Sequence, residues 1–193
     1  MIPAQAKSQL RKSAIARRSE LTRACPDFAL LIAAHVEALK IPHGSRVSGY
    51  VAMGDEADPS LLIESLMSRG CEIAYPRVHI KAHPLVFHVP VKGEHMLRSA
   101  FNVPEPRPDW PVSTPEILLV PMLAFNAEGY RLGYGGGFYD RTLAALRAEK
   151  KVRTIGIAFS GQEVAELPRE AYDQPIDGVL TEKGLRLFTT RRE

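Results

Sequence analysis

Residues 129–140 read Gly129-Tyr130-Arg131-Leu132-Gly133-Tyr134-Gly135-Gly136-Gly137-Phe138-Tyr139-Asp140, with four glycines in the five positions 133–137. Residues without Cβ let backbone amides close on a ligand. A helix that starts directly after them adds partial positive charge, so the combination suits an anion such as phosphate. Arg131 brings a planar fork of donors that matches phosphate oxygens. Asp140, in the first turn of the expected helix, can hold a Mg2+ ion that also touches phosphate. The same glycines can instead solve only a packing problem, with Asp140 answering the helix dipole. Their density, flanked by Arg131 and Asp140, weighs against that. A Walker A loop needs Gly-Lys followed by Ser or Thr, which is absent. A dinucleotide fingerprint would need glycine where Phe138 stands and an acid about 20 residues on, and both are missing. The loop is a phosphate-binding candidate of another design.

A second set of cations opens the chain. Lys7 and Arg11 are four residues apart and Arg18 lies eleven on from Lys7, which sets all three on one helical face. Leu10, Ala14 and Leu21 form an apolar stripe beside them, so the helix can dock by one side and aim cations along its edge. Lys7, Arg11, Lys12, Arg17 and Arg18 all precede the first acid, Glu20. That pattern also fits a solvated basic face or an organellar transit peptide. Three acids crowd into Gly54-Asp55-Glu56-Ala57-Asp58 and need positive or hydrogen-bonding company. Asp58 before Pro59 reads as a helix cap and Asp55 as a solvated side chain. His79 and His83 have zinc-like spacing, but Pro84 and strand-like neighbours break the helix such a site needs, so no metal is expected there. Cys25 and Cys71 are far apart and form no C-x-x-C, which reads as a reduced intracellular chain.

These residues must be positioned by a soluble framework. The 193-residue chain is 45% hydrophobic and 24% charged, with a net charge of +3, too small to argue for nucleic acid. No apolar run is long enough to cross a bilayer. Residues 4–21 read as a helix. A second helix opens around Thr22–Pro26 with Phe28, Leu31, Ile32, Val36 and Leu39 as its core face, and Pro42 and Gly44 end it. Residues 46–52 read as a strand. A helix follows from Asp58-Pro59 to about Arg69, stopped by Gly70. Residues 71–75 and 84–89 read as strands, 104–115 as irregular, and the apolar run 117–120 as a strand buried on both faces. The glycine loop then leads to a helix over 137–150, with late strands at 154–159 and 178–180. Alternating strands and helices predict an α/β layered fold.

Pro121, Ala124-Phe125, Gly129, Arg131-Leu132-Gly133 and the run from Gly135 to Arg141 together resemble the signature of the 5-formyltetrahydrofolate cyclo-ligases, or methenyltetrahydrofolate synthetases. Lys7-x-x-x-Arg11, Glu56, Pro104-Glu105-Pro106, Asp173, Asp177 and Thr181-Glu182 extend the likeness over residues 7–182. Asn126 stands where that family usually has Asp, and Tyr172 where it often has His. The resemblance implies one domain over residues 1–193, a single α/β/α unit with a mixed, largely parallel sheet, located in the cytoplasm. It implies 5-formyltetrahydrofolate (polyglutamylated forms included) and ATP as substrates, Mg2+ as cofactor, and neither nucleic acid nor membrane as partner. It carries ATP binding to Lys7, Arg11, Arg131, Leu132, Gly133, Tyr134, Gly135, Gly136, Gly137, Phe138 and Tyr139. Folate binding falls to Glu56, with Val51 and Met53 as an apolar wall, and to Tyr134, Gly135, Gly136, Gly137 and Phe138. Asp140 and Asp173 become the metal carboxylates, and Lys7 and Arg131 the charge-stabilising catalytic groups. Asp177 is expected to be structural.

The family chemistry phosphorylates the formyl oxygen so that N10 can close the ring. An amide-type oxygen leaves poorly until it carries phosphate, and the protein's share is positioning and charge screening. Two other readings remain open at this level. One is a different phosphate-using enzyme on a similar scaffold, since fold does not fix function. The other is a non-catalytic RNA-binding protein using the first helix, which leaves the loop and the two acids unexplained. If Lys7 and Arg11 meet only ATP, replacing them should leave the ligand-free thermal midpoint nearly unchanged.

Overall fold

A computed structural model describes residues 3–99 and 103–189. Along the chain run α1 (Pro3–Ala24), α2 (Phe28–Ala34), a 3-10 turn (Val36–Leu39), β1 (Arg46–Ser48), α3 (Ser60–Ser68), β2 (Glu72–Arg77), β3 (Val86–His88), β4 (Leu97–Arg98), β5 (Pro104–Glu105), β6 (Val112–Ser113), β7 (Ile117–Pro121), β8 (Ala124–Phe125), β9 (Arg131–Leu132), α4 (Phe138–Glu149), β10 (Arg153–Ile157), β11 (Gly178–Thr181) and β12 (Gly184–Leu187).

Eight of the strands form one sheet in the order β12-β11-β10-β7-β1-β2-β3-β6. The five central strands, from β11 to β2, pair in parallel, while β12, β3 and β6 add antiparallel edges. The sheet is therefore mixed and mostly parallel, as expected. Strand β7 shows why it is layered. Alternate side chains point to opposite faces, and both faces of this strand are covered. Ile117 and Leu119 pack with Phe28, Ile32, Leu62, Ile63 and Leu66 from α2 and α3. Leu118 and Val120 pack with Leu143 of α4 and with Val152. Each fully buried aliphatic side chain contributes about 1.5–3 kcal/mol by leaving water.

Several expectations need correction. The first helix continues to Ala24, so the second begins at Phe28 rather than around Thr22–Pro26. Phe28, Ile32 and Leu39 are buried, but Leu31 is 39% exposed, and α2 ends after Ala34 with a 3-10 turn following. The strand expected over 46–52 stops at Ser48, and the chain leaves the sheet at the buried Gly49. A Cβ there would meet Ile63 at 2.7 Å. The irregular stretch 104–115 contains the short strands β5 and β6. The hairpin β8–β9 and the edge strand β12 were not anticipated. Among the described residues no helix is long and apolar enough to cross a membrane.

Candidate active site

The parallel strands occur in the spatial order β2-β1-β7-β10-β11, so successive connections run in opposite directions from the gap between β1 and β7. In an open α/β sheet the crevice beyond the carboxyl ends of the strands at such a reversal is the usual ligand site. Here β1 leads into the segment that carries Glu56, and β7 leads into the β8–β9 hairpin and the glycine loop. Helix α1 is tied to both. Thr22 Oγ1 donates to the Asp55 carbonyl at 2.9 Å, and Arg11 Nε donates to the Gly133 carbonyl at 2.9 Å. A depression lined by Glu116, Lys150, Lys151, Arg153, Asp177 and Leu187 opens at the opposite, amino ends of the strands; of the residues singled out from the sequence it gathers only Asp177, which was expected to be structural.

The loop is built from the hairpin outward. Asn126 is buried, and its Oδ1 accepts from the amides of Glu128 and Tyr130 at 3.2 and 2.9 Å. Only an acceptor is needed there, so the departure from Asp is accommodated. Gly135 has φ +97°, and a Cβ on it would lie 3.1 Å from the guanidinium carbon of Arg11. Gly137, at φ 64°, caps α4 in the left-handed region. Both positions require glycine for conformation and for close approach, since a Cβ on Gly137 would lie 2.7 Å from a terminal nitrogen of Arg141.

Arg131, expected at the ATP phosphates, has partners within the protein. Its side chain is 5% exposed, with NH2 donating to Asp140 Oδ1 at 2.8 Å and NH1 to the Gln174 carbonyl. The fork ties the loop to the segment after Asp173. Asp140 Oδ1 also accepts from the Gln174 amide at 3.0 Å. No hydrogen bond reaches Asp140 Oδ2 among the described residues.

Of the α1 cations, Arg11 and Arg18 contact the loop, and Lys7 contacts the 170–173 segment. Lys7 is 7% exposed, and its ammonium donates to Glu170 Oε2 at 2.6 Å and Asp173 Oδ2 at 2.7 Å. Burial pulls the Lys7 ammonium down, but hydrogen bonds and charge from Asp173 and Glu170 outweigh it and hold the group above the ordinary lysine value. Hydrogen bonds from Lys7 and Tyr172 hold the Glu170 carboxyl below its ordinary value. Asp173 Oδ2 also accepts from the Glu170 amide at 2.8 Å, leaving Oδ1 without a hydrogen bond among the described residues. Asp140 is in turn joined to Gln174, the residue next to Asp173 in the chain. The terminal nitrogens of Arg11 carry no hydrogen bond among the described residues.

On the other side of the loop, Glu56 is 10% exposed in its side chain and accepts from the Met53 amide at 3.1 Å through Oε2. Arg18, 4% exposed, lies between it and the glycine loop. Its NH2 donates to the Tyr134 hydroxyl at 2.6 Å, and its NH1 is 3.8 Å from Glu56 Oε1. Tyr139 stands close behind. Burial and then the Glu56 charge push its phenol up, against the pull of Arg131. Burial also raises the Tyr134 phenol, while the hydrogen bond from Arg18 works the other way.

Other expected residues are positioned as follows. Val51 is 36% exposed and Met53 half-buried on the Glu56 segment, and Leu132 is buried in β9. Gly136 lies against the Phe138 ring, over which the Arg141 guanidinium sits at 5.2 Å. Asp58 accepts from the Ser60 amide at 2.9 Å at the entry to α3. Asp177 accepts from the Thr154 amide at 2.7 Å, which ties β10 to the start of β11. Glu105 pairs with Arg77 at 3.7 Å, and Arg77 also donates to the Pro106 carbonyl at 2.7 Å, so the Pro-Glu-Pro segment is pinned. His79 and His83 are exposed on a turn. Sequence reasoning missed Glu170 and the buried state of Arg18. The helical spacing of Arg18 from Lys7 was the one available signal, and Glu170 offered none.

Comparison with known proteins identifies the family of the chain. The model of the 5-formyltetrahydrofolate cyclo-ligase family matches residues 3–182. The 5-formyltetrahydrofolate cyclo-ligase of Mycolicibacterium smegmatis is 32% identical over 188 residues, covering 93% of this chain and 95% of its own. That of Escherichia coli strain K12 is 34% identical over 140 residues, covering 70% and 76%. Among solved structures, the 5,10-methenyltetrahydrofolate synthetase of Aquifex aeolicus superposes with a TM-score of 0.72 at 27% identity, covering 97% of this chain and 95% of its own. The family match spans nearly the whole chain, and the chain belongs to the 5-formyltetrahydrofolate cyclo-ligase family.

Proposed function

We infer that the chain cyclises 5-formyltetrahydrofolate to 5,10-methenyltetrahydrofolate at the expense of ATP, releasing ADP and phosphate, with residues 1–193 acting as one cytoplasmic domain. The observation that carries this reading is the convergence of the glycine loop, the α1 cations and the two carboxylates Asp140 and Asp173 at one end of the sheet. The formyl oxygen attacks the γ-phosphorus and the bond to ADP breaks. N10 then attacks the formyl carbon and loses its proton, and the carbon–oxygen bond to phosphate breaks as the ring closes. No enzyme nucleophile is required. The protein's work is alignment and charge stabilisation.

Arg11, with its terminal nitrogens free and the loop amides beside it, binds the phosphates. Lys7 is within reach of the same oxygens once it shares its donors between them and Asp173. Arg131 positions Asp140. Glu56, Val51 and Met53 face the pterin, and the loop from Tyr134 to Phe138 separates the two substrates. Asp140 and Asp173 each keep one carboxylate oxygen without an intramolecular partner. Among the described residues no cluster of three metal-ligating side chains occurs. That set suits Mg2+, which is held by one or two carboxylates and keeps water and phosphate as its other ligands. When bound there, the ion would screen the phosphate charge.

Mixing the protein with 5-formyltetrahydrofolate, ATP and Mg2+ should produce the methenyl chromophore only when both ATP and the divalent ion are present. Equal rates with and without ATP would sink the assignment. Glu56→Gln should weaken folate binding about tenfold or more, the loss expected for a charge-assisted hydrogen bond, and should change ATP binding less. Calorimetric titrations with the reverse order would refute the pterin assignment of Glu56.

A further inference from the structure

Arg18 is the most conspicuous buried group that the phosphate chemistry leaves unused. Its side chain is 5% exposed, yet only NH2 has a hydrogen-bond acceptor, the Tyr134 hydroxyl at 2.6 Å. Nε and NH1 are buried without a hydrogen-bond partner among the described residues. NH1 faces Glu56 Oε1 at 3.8 Å, close enough for attraction and too far for a hydrogen bond. A guanidinium deprived of water normally satisfies its donors, because each unpaired one carries a desolvation cost. Three site-forming segments meet at this group. Arg18 belongs to α1, Glu56 to the loop after β1, and Tyr134 to the glycine loop, whose ring lies 5.6 Å from the guanidinium.

We propose that Arg18 is a folate-binding residue whose free N–H groups donate to the 4-oxo oxygen of the pterin, with Glu56 accepting from the neighbouring ring N–H and amino group. The proposal rests on the cyclo-ligase reading and deepens it. A pterin presents, along one edge, an amino group, a ring N–H and a carbonyl oxygen, which is two donors beside one acceptor. A carboxylate and a guanidinium held side by side but not bonded to each other present the complementary pair. Tyr134 fixes the guanidinium through NH2 and leaves Nε and NH1 for the ligand. The arrangement also gives specificity: a ligand with an amino group in place of the 4-oxo oxygen sets donor against donor, and a site built to hydrogen-bond one group rejects the analogue that cannot pair.

The test is calorimetric binding of 5-formyltetrahydrofolate, its 4-amino counterpart and ATP to the wild-type chain and to Arg18→Leu. The wild type should prefer the 4-oxo ligand by about tenfold or more, and Arg18→Leu should lose most of that preference by weakening the 4-oxo ligand alone. ATP affinity should change less than affinity for the 4-oxo ligand, because Arg18 faces Glu56 while Arg11 holds the Gly133 side of the loop. Arg18→Lys keeps the charge, loses the fork, and should show the same loss of preference if the leucine variant does not fold. An unchanged 4-oxo to 4-amino ratio in a folded variant overturns the proposal, because a purely structural role would weaken both ligands together. Failure of the wild-type chain to bind 5-formyltetrahydrofolate at all would instead overturn the cyclo-ligase reading, and this proposal with it.

Discussion

Asp140→Asn should lower turnover by on the order of a hundredfold and shift the Mg2+ requirement to higher concentration, as expected when a preorganised charge at a phosphoryl-transfer site is removed. The substitution keeps the shape and one acceptor oxygen, so the amide of Gln174 and the Arg131 fork retain a partner. It removes the negative charge that pairs with Arg131, whose side chain is 5% exposed. Breaking one side of a buried pair leaves the other side uncompensated. The thermal midpoint should therefore fall as well. Turnover must be measured well below it, with Mg2+ varied from limiting to saturating. Wild-type turnover at limiting Mg2+ would remove Asp140 from the metal site. A lower midpoint with an unchanged Mg2+ dependence would leave Asp140 as a support for Arg131 and nothing more.

Lys7→Ala should do more than weaken ATP. From the family resemblance, Lys7 is expected to meet the nucleotide and to leave the ligand-free protein unaffected. The structure revises that. The ammonium joins α1 to the 170–173 segment through Glu170 and Asp173, and its removal leaves two carboxylates facing each other. Like charges at this range repel. The ligand-free thermal midpoint should fall by roughly 4 °C, following the usual scaling for a domain of this size. The apparent Michaelis constant for ATP should rise about tenfold or more, as for a lost charge-assisted hydrogen bond. Arg11→Ala should raise the ATP constant comparably and lower the midpoint less, since it loses only the exposed Nε bond to the Gly133 carbonyl. Scanning calorimetry of both variants decides the matter. Equal midpoints for the two would remove the bridging role of Lys7, and unchanged ATP dependence in both would remove α1 from the nucleotide site.

Elements with strong local signals were readable. The run Ile117–Val120 could only be a doubly covered strand, Gly70 ended α3 at φ 78°, and the left-handed Gly137 opened α4. The β8–β9 hairpin was not readable. Each of its strands has two residues, too few for any periodicity, and its turn is made by the Asn126 side chain bonding the backbone. Strand β12 was hidden for a related reason. It is an edge strand with Leu187 60% exposed, so burial leaves no alternating pattern in it.

The same division runs through the site. Residue types and the glycine density were legible in the linear order, and the family resemblance singled out Lys7, Arg11, Glu56, Asp140 and Asp173 as expected site residues. Which charge faces which did not follow. Arg131 turns inward to Asp140, Lys7 bridges Glu170 and Asp173 from more than 160 positions away, and Arg18 comes to rest between Glu56 and Tyr134. These pairings form only when the sheet brings the ends of β1 and β7 together and α1 lies across them. Electrostatic partners are set by distance in space and by exclusion of water, and neither quantity exists until the chain has folded.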